Sequence, residues 1–408
     1  MHANRRPRTL IVSQYYPPEN VGMIVHSVAI GLHARGHDVT VLTAFPNHPV
    51  GRVFPGWKQR FGHVERRDGV TVHRVPMLPD HSDRAFARVI AYLSFALSTC
   101  SASRLGRDAD VVYVYSAQPT VGIAPMRWRR RFRTPYVLHV QDIWPESVTG
   151  SGMIASRWAT RAVARGVLWW LRSVHRAAAH VIAIAPGAAA LLTDRGADPD
   201  RTTSLLNWVE PRSEDVVRDV RDDGRTRIVY AGTLGPNQGL DTVVRAAARC
   251  GDLGDLEFVV IGTGVVDGHL RALAAQLGAG NIVFRAPVPA AQMPEVHADA
   301  DFEIVSLADA PMTAVTVPSK LQQALGHGVP VIAALSGDAA DLVSDGGAGI
   351  VVPPGDVDRL EAAFRRAHAT SGDERRRLSA NALAVVAEHM DGGVALDRVD
   401  QILRKAAR

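Results

Sequence analysis

Two rounds of strand-and-helix alternation, separated by a stretch with neither period, constrain this chain more than any other feature. In the first round, short apolar runs at residues 10–13, 39–42, 70–75, 111–115, 136–140 and 180–184 alternate with helical stretches. One helix runs through Val25, Val28, Ala29 and Leu32 and stops at Gly36-His37; others lie around 84–105 and 154–177. Runs of this length with no polar alternation suit strands buried on both faces, the mark of a parallel sheet covered by helices. A second round repeats the pattern, with strands at 228–231, 257–261, 282–285, 302–307, 329–334 and 349–352 and helices at 240–249, 268–277, 290–298 and 356–370. Between them lie Trp208, Pro211 and a mixed-charge run, 212–225, that reads as a solvated linker. The expectation is an α/β chain of two doubly wound domains, 1–210 and 226–385, with a C-terminal helix at 386–408 packing back on the first. A length of 408 residues fits two domains of ordinary size. Open parallel sheets bind ligands beyond the carboxyl ends of their strands, so a deep interdomain cleft is the expected site.

Composition narrows the class. An apolar fraction of 47% with 21% charged residues is that of a globular protein, and the net charge of +5 is modest. The basic residues cluster locally, with Arg127, Arg129, Arg130, Arg131 and Arg133 crowding around Trp128 and Phe132. The two cysteines, Cys100 and Cys250, fall in different halves, and Leu10 to Val12 is too short for the core of a signal peptide. Both features point to a reducing cytoplasm. The best membrane-spanning candidate, 89–97, is about half the length needed. The sixteen histidines are scattered and nothing resembles a metal site, and neither a P-loop lysine nor a dinucleotide glycine fingerprint occurs. A kinase, a dehydrogenase and a nucleic-acid partner are therefore not expected, and no metal or cofactor is called for.

The segment TVPSKLQQALGHGVPVI, 316–332, combines a turn, a cation, a helix and a buried strand. Pro318-Ser319 starts a helix whose first amides are left for an anion, and Lys320 adds a mobile positive charge there. Leu321, Ala324 and Leu325 keep helical spacing until Gly326 and Gly328 stop it. That order suits a phosphate or diphosphate; the competing reading is an ordinary helix–strand connection with a surface lysine. The loop 232–239, GTLGPNQG, holds three glycines that would let backbone approach a ligand closely, and Gly262-Thr263-Gly264 follows the next strand, where a ribose or base would lie. In the first half, Pro17-Pro18-Glu19-Asn20-Val21-Gly22 joins strand to helix, with Gly22 placed for the same close approach. Gln141-Asp142-Ile143-Trp144-Pro145-Glu146 ends the strand 136–140 in polar residues suited to hydroxyl recognition, although Asp142 would serve equally as a turn or cap residue. In an extended strand His139 and Gln141 share one face and Asp142 takes the other. The helix 156–176 gathers Arg157, Arg161, Arg165, Arg172 and Arg176 on one side and Val163, Val167, Trp170 and Val174 on the other, with no acidic residue. A basic face beside Trp158 and Trp169 suits a peripheral membrane contact at the inner face of the cell membrane, and equally a core-packed helix with a solvated side.

Taken together, these segments resemble the retaining GT-B glycosyltransferases, the large family of bacterial polysaccharide and lipid glycosyltransferases. YYPPENVGMIVHSVAIGLHARGHDVTVLT is similar to the opening βαβ unit of these enzymes, and QDIWPES resembles a segment of the subgroup that transfers acetamido sugars such as N-acetylfucosamine. LLNWVEP resembles that subgroup's interdomain segment, YAGTLGPNQGLDTVV its first donor-domain loop, and VPSKLQQALGHGVPVI the helix that follows. The resemblance implies two Rossmann-like domains, an acceptor held by the first and a nucleotide-diphosphate sugar by the second, with retention of anomeric configuration and no metal. It places Gly22, Gly232, Thr233, Gln238, Gly262, Gly264, Ser319, Lys320 and Gln323 at the donor, and Gln141, Asp142 and Lys320 at the reacting centre.

The chain departs from the wider family at defined positions. Two glutamates separated by seven residues become Val315 and Gln323, a cation of the glycine loop becomes Asn237 or Gln238, and a first-domain histidine becomes Gln141. Gln323 keeps a carbonyl acceptor and loses the charge. Lys320 is left as the main cation. The function implied is transfer of a sugar, of acetamido type, to a glycan or lipid-linked acceptor in cell-surface polysaccharide synthesis. Decoration of a small secondary metabolite is the alternative enzyme, and a catalytically weak nucleotide-sugar-binding partner subunit is the alternative from another class.

Overall fold

The computed structural model describes residues 5–80, 85–145, 157–209 and 224–407. Most of the mixed-charge run 212–225, and Glu146 and Ser147 of QDIWPES, lie outside the described residues, as do the side chains of Arg157 and Trp158. The chain forms two compact units, one of residues 1–205 with 393–408 and the other of 206–392.

In the first unit the strands are β1 (Arg8–Val12), β2 (Asp38–Ala44), β3 (His63–Arg67), β4 (Val70–Val75), β5 (Val111–Ser116), β6 (Tyr136–Val140), β7 (His180–Ala183) and β8 (Thr202–Ser204). They make one sheet in the order β3-β4-β2-β1-β5-β6-β7-β8, parallel except where β3 pairs antiparallel with β4. Its helices are α1 (Met23–Ala34), α2 (Ala85–Ser101), α3 (Ser103–Asp108), α4 (Ile123–Phe132), α5 (Arg157–Ala177) and α6 (Pro186–Asp194). The central strands are buried on both faces; β5 reads buried from Val111 through Tyr115. Strand order reverses between β1 and β5, and the loops that leave these two strands mark the switch point where ligands gather.

The second unit carries β9 (Thr226–Ala231), β10 (Leu256–Ile261), β11 (Ile282–Arg285), β12 (Phe302–Ser306), β13 (Val331–Ala334) and β14 (Gly349–Val352) in a wholly parallel sheet, order β11-β10-β9-β12-β13-β14. Its helices are α7 (Leu240–Ala248), α8 (Asp267–Gln276), α9 (Met293–Asp299), α10 (Ser319–Gly326), α11 (Asp338–Asp345), α12 (Val357–His368) and α13 (Gly372–His389). One core packs α7, α8 and α12 onto the sheet through Val243, Val244, Leu270, Leu360 and Phe364, with Phe364 edge-on to Phe258 at 4.7 Å. The switch point here lies between β9 and β12.

The last helix, α14 (Gly392–Ala406), belongs to the first unit. Leu396 fills the space beside Gly31 of α1, Arg35 Nε donates to Asp397 at 2.7 Å, and the buried His37 ring bridges Thr9 Oγ1 at 2.7 Å and Asp400 at 2.5 Å. Residue 385, taken from the sequence as the end of the second domain, falls within α13, because the α13 helix runs unbroken to His389. Other elements escape the sequence pattern, among them α4, α6 and α13. β3 is an edge strand of charged residues, β8 is only three residues long, and α11 begins beside Gly337 in a polar stretch.

Candidate functional site

In the second unit the expected residues converge at the carboxyl edge of the sheet. α10 starts at Ser319 as the sequence predicts; Pro318 caps it with extended backbone (φ −63°, ψ 141°), and no side chain bonds to its first amides. The first-turn N–H groups thus face outward with the positive end of the helix dipole, an arrangement that favours an anion. Ser319 and Gln323 are exposed. Lys320 turns inward. Its ammonium donates to the Tyr230 hydroxyl and to Gln238 Oε1 at 2.9 Å, and it sits 4.2 Å from the centre of the Tyr230 ring. The Tyr230 hydroxyl in turn donates to the Thr233 carbonyl at 2.7 Å.

Burial drives the Lys320 pKa down to about 8, and no carboxylate among the described residues opposes the shift. An ammonium so placed is solvated by a hydroxyl, an amide oxygen and an aromatic face, each of them neutral. An anion would therefore meet an uncompensated charge in a partly desolvated site, where electrostatic interactions are strong.

The glycines of this edge serve the protein itself. A Cβ at Gly262 would strike the Gly232 carbonyl, one at Gly264 the Leu234 carbonyl, and one at Gly232 the Lys320 side chain. Gly232 (φ 142°) and Gly262 (φ 154°) also occupy backbone conformations that L side chains rarely adopt. The loops after β9 and β10 close onto each other through Gly232 N to Ile261 O (2.9 Å), Leu234 N to Thr263 O (3.0 Å) and Val266 N to Leu234 O (3.2 Å). Ala308 N to Asn237 O, 2.9 Å, ties the same loop to the end of β12. The sequence reading took the glycines as room for a ligand; the side each leaves open is filled by neighbouring protein. Beside this platform is a cavity of about 250 Å³ lined by Gly232, Thr233, Gly262, Thr263, Pro287 and Met293.

In the first unit Gly22 is likewise a packing residue, because a Cβ there would lie 2.6 Å from the Tyr16 Cα. The loop after β1 is fixed by two buried charges that the sequence reading did not single out. Glu19 accepts from the backbone N–H groups of Asn47 and His48, both at 2.8 Å, and of Tyr16 at 3.3 Å, while burial raises its pKa. Arg74 donates to Pro17 O (2.6 Å), Ala44 O (2.9 Å) and Glu65 (2.8 Å), and lies over the Trp57 ring at 4.6 Å. An arginine inside the otherwise strand-like VTVHRV was the visible signal.

Gln141 follows β6 and its N–H donates to Ser116 O at 3.0 Å, so the polar segment stays attached to the β5 edge. Asp142 reaches solvent yet stands in dense surroundings, and desolvation lifts its pKa to about 6 against the opposing field of Arg88. Next to it Trp144 is buried edge-on to Tyr92 at 6.0 Å. His139 is wholly buried, with Nδ1 2.5 Å from the Tyr113 hydroxyl; burial pushes its pKa to about 3 and keeps it neutral. It is a residue of the sheet interior.

The comparisons with known proteins divide along the same lines. A Glycosyl transferase 4-like domain matches residues 21–208, and a Glycosyl transferases group 1 domain matches residues 225–369. Over 383 residues the chain is 27% identical to WcaI of Escherichia coli (strain K12), assigned by name to colanic acid biosynthesis as a glycosyl transferase; the match spans 88% of this chain and 92% of that protein. It is 26% identical over 390 residues to a GDP-mannose-dependent alpha-mannosyltransferase of Mycobacterium tuberculosis, spanning 91% and 90% of the two. Among solved structures, sucrose-phosphate synthase from Thermosynechococcus elongatus superposes with a TM-score of 0.73 at 16% identity, covering 98% of this chain and 99% of that one. One family domain falls on each parallel sheet, and the chain belongs to the group 1 glycosyltransferases of GT-B fold.

Proposed function

We propose that this glycosyltransferase moves a sugar from a nucleotide-diphosphate donor to a glycan or lipid-linked acceptor in cell-surface polysaccharide synthesis, with retention of anomeric configuration. The observation that carries the reading is the half-buried Lys320 ammonium, with no counter-charge among the described residues, beside the uncapped start of α10. In this reading the diphosphate sits on the amides near Ser319, next to Gly232 and Thr233. Lys320 turns from Gln238 toward it and takes up negative charge as the bond from the sugar's anomeric carbon to the phosphate oxygen breaks. Gln323 accepts a ribose hydroxyl, and the loop 262–264 borders the nucleoside. The acceptor hydroxyl attacks from the face that the phosphate leaves, and the departing phosphate oxygen receives its proton. No carboxylate nucleophile is needed. Gln141 and Asp142 of the first unit position sugar or acceptor hydroxyls.

For the sugar, the QDIWPES resemblance favours an acetamido type, while the names of the mycobacterial relatives favour GDP-mannose. A thermal-shift panel of uridine, guanosine and thymidine diphosphate sugars separates the two, since a donor that binds the folded state raises its melting temperature. The expected result is a rise with one base, and loss of that rise in Lys320→Ala. No shift with any of the three would overturn the donor assignment. The anomeric proton coupling of the product, read by NMR, tests retention. Slow donor hydrolysis that disappears in Lys320→Ala would count against a binding subunit without catalysis.

A further inference from the structure

Three helices on one side of the first unit share a composition that the sugar chemistry does not use. α2, α4 and α5 contain one, four and five arginines, ten in all, and not one aspartate or glutamate. They lie side by side. α2 packs against α4, and both α2 and α5 rest on the turn Pro119–Gly122. Thr120 Oγ1 donates to the Tyr92 carbonyl of α2 at 2.8 Å, and Trp170 Nε1 of α5 donates to the Pro119 carbonyl at 3.0 Å.

The outer face of α2 is apolar. Phe86 (77% exposed), Val89, Ile90, Leu93 and Leu97 (70%) follow helical spacing on the side away from buried Ala91, Phe95, Ala96 and Thr99. Leu78 adds to the stripe, because its N–H donates to Ser94 Oγ of α2 at 2.9 Å. α5 presents the complementary chemistry. Arg161, Arg165, Arg172 and Arg176 are exposed with Trp169, 72% exposed, in their midst, and burial begins only at Leu171. Val163, expected on the packed side, is exposed as well.

A contiguous apolar stripe of this kind marks an interaction surface. Its flanks decide the occupant: a surface that offers hydrocarbon, aromatic rings and uncompensated guanidinium groups matches acyl chains beneath anionic headgroups. A second copy of the chain would bring arginines against arginines. Nucleic acid would satisfy the arginines and leave Phe86, Ile90 and Leu97 in water. We infer that the outer face of α2, α4 and α5 docks on an anionic phospholipid bilayer, with the α2 stripe entering the acyl boundary and the arginines of α4 and α5 meeting phosphate.

The test uses the full chain with vesicles of phosphatidylcholine alone or mixed with phosphatidylglycerol, read by flotation. Binding to the anionic vesicles is expected to exceed binding to the neutral ones, and to fall at high salt, because each arginine near the surface contributes about fivefold in affinity. Leu97→Ser and Phe86→Ser are each expected to weaken it about tenfold, the equivalent of removing one buried apolar side chain. Arg161→Glu with Arg165→Glu removes the preference for anionic lipid. These side chains are exposed and remote from the donor residues, so the donor-induced thermal shift should persist in all four substitutions. If that shift persists and wild-type protein fails to float, the docking inference is overturned while the donor reading stands. Equal binding to both vesicles also overturns it, as does RNA binding or α2-dependent dimerisation without vesicle binding.

Discussion

The two units build the same kind of sheet and finish its carboxyl edge in opposite ways. In the second unit the edge is made of backbone. Glycine loops close onto one another, and one lysine is held by neutral partners. In the first unit the edge is made of side chains, with a loop pinned by Glu19 and Arg74 and a carboxylate at Asp142 that reaches solvent. Backbone suits a ligand whose chemistry does not change, such as a diphosphate. Side chains suit one that differs from enzyme to enzyme. The contrast teaches that one scaffold can carry either kind of edge through loop content alone.

The comparison can be broken most directly at Lys320. Lys320→Ala should lower the initial transfer rate at least about 100-fold, the usual consequence of removing a principal donor to a developing anion. A fall below tenfold would mean that the backbone amides suffice. Asp142→Asn should lower the rate by about 10- to 100-fold through misplacement of a reacting hydroxyl, with the donor-induced thermal shift unchanged. Loss of that shift would place Asp142 at the donor and erase the division between the two edges.

Gly264→Ala tests the backbone edge by itself. Its Cβ meets the Leu234 carbonyl, so an overpacking cost of about 2 kcal/mol should lower the melting temperature by about 4–8 °C and weaken donor binding. An unchanged melting temperature would show that the two loops are not held together as described.

The titrations give smaller effects of opposite sense. In the proposed reading Lys320 binds the donor in its protonated form; with its pKa lowered to about 8, donor affinity should be full well below pH 8, be about halved at pH 8 and fall about fivefold more from pH 8 to 9. Isothermal titration across that range measures it; a flat profile would mean that Lys320 is not in contact with the donor. Asp142 has its pKa raised to about 6, so the folded state holds a proton that the unfolded chain releases near pH 4. Stability therefore declines as pH rises from about 4 to 6 on its account. Asp142→Asn should raise the melting temperature at pH 7 by about 1–2 °C, a gain limited by solvent access and absent at pH 4.

What could be read from the sequence was local. The period of apolar residues places the buried strands, and Pro318-Ser319 places the start of α10 to the residue, because a cap is a matter of neighbouring positions. β3 escapes because an edge strand needs no apolar alternation and is protected by charge, as His63, Glu65, Arg66 and Arg67 show. Lys320 was visible as a cation, yet its partner Tyr230, 90 positions away, looked like any apolar strand residue. The glycines were legible as special positions, but the reason for them lies in loop-to-loop distances that only the assembled sheet supplies. Glu19 and Arg74 carry roles of the same nonlocal kind.

The return of α14 to the first unit gives the chain an order of completion. Residues 206–392 form an insertion within the first unit, so a ribosome releases every residue of the second unit before the helix that covers Gly31 and engages His37 has emerged. During synthesis the second unit is therefore the first that can finish, and the unit begun first waits with its α1 surface uncovered until α14 emerges.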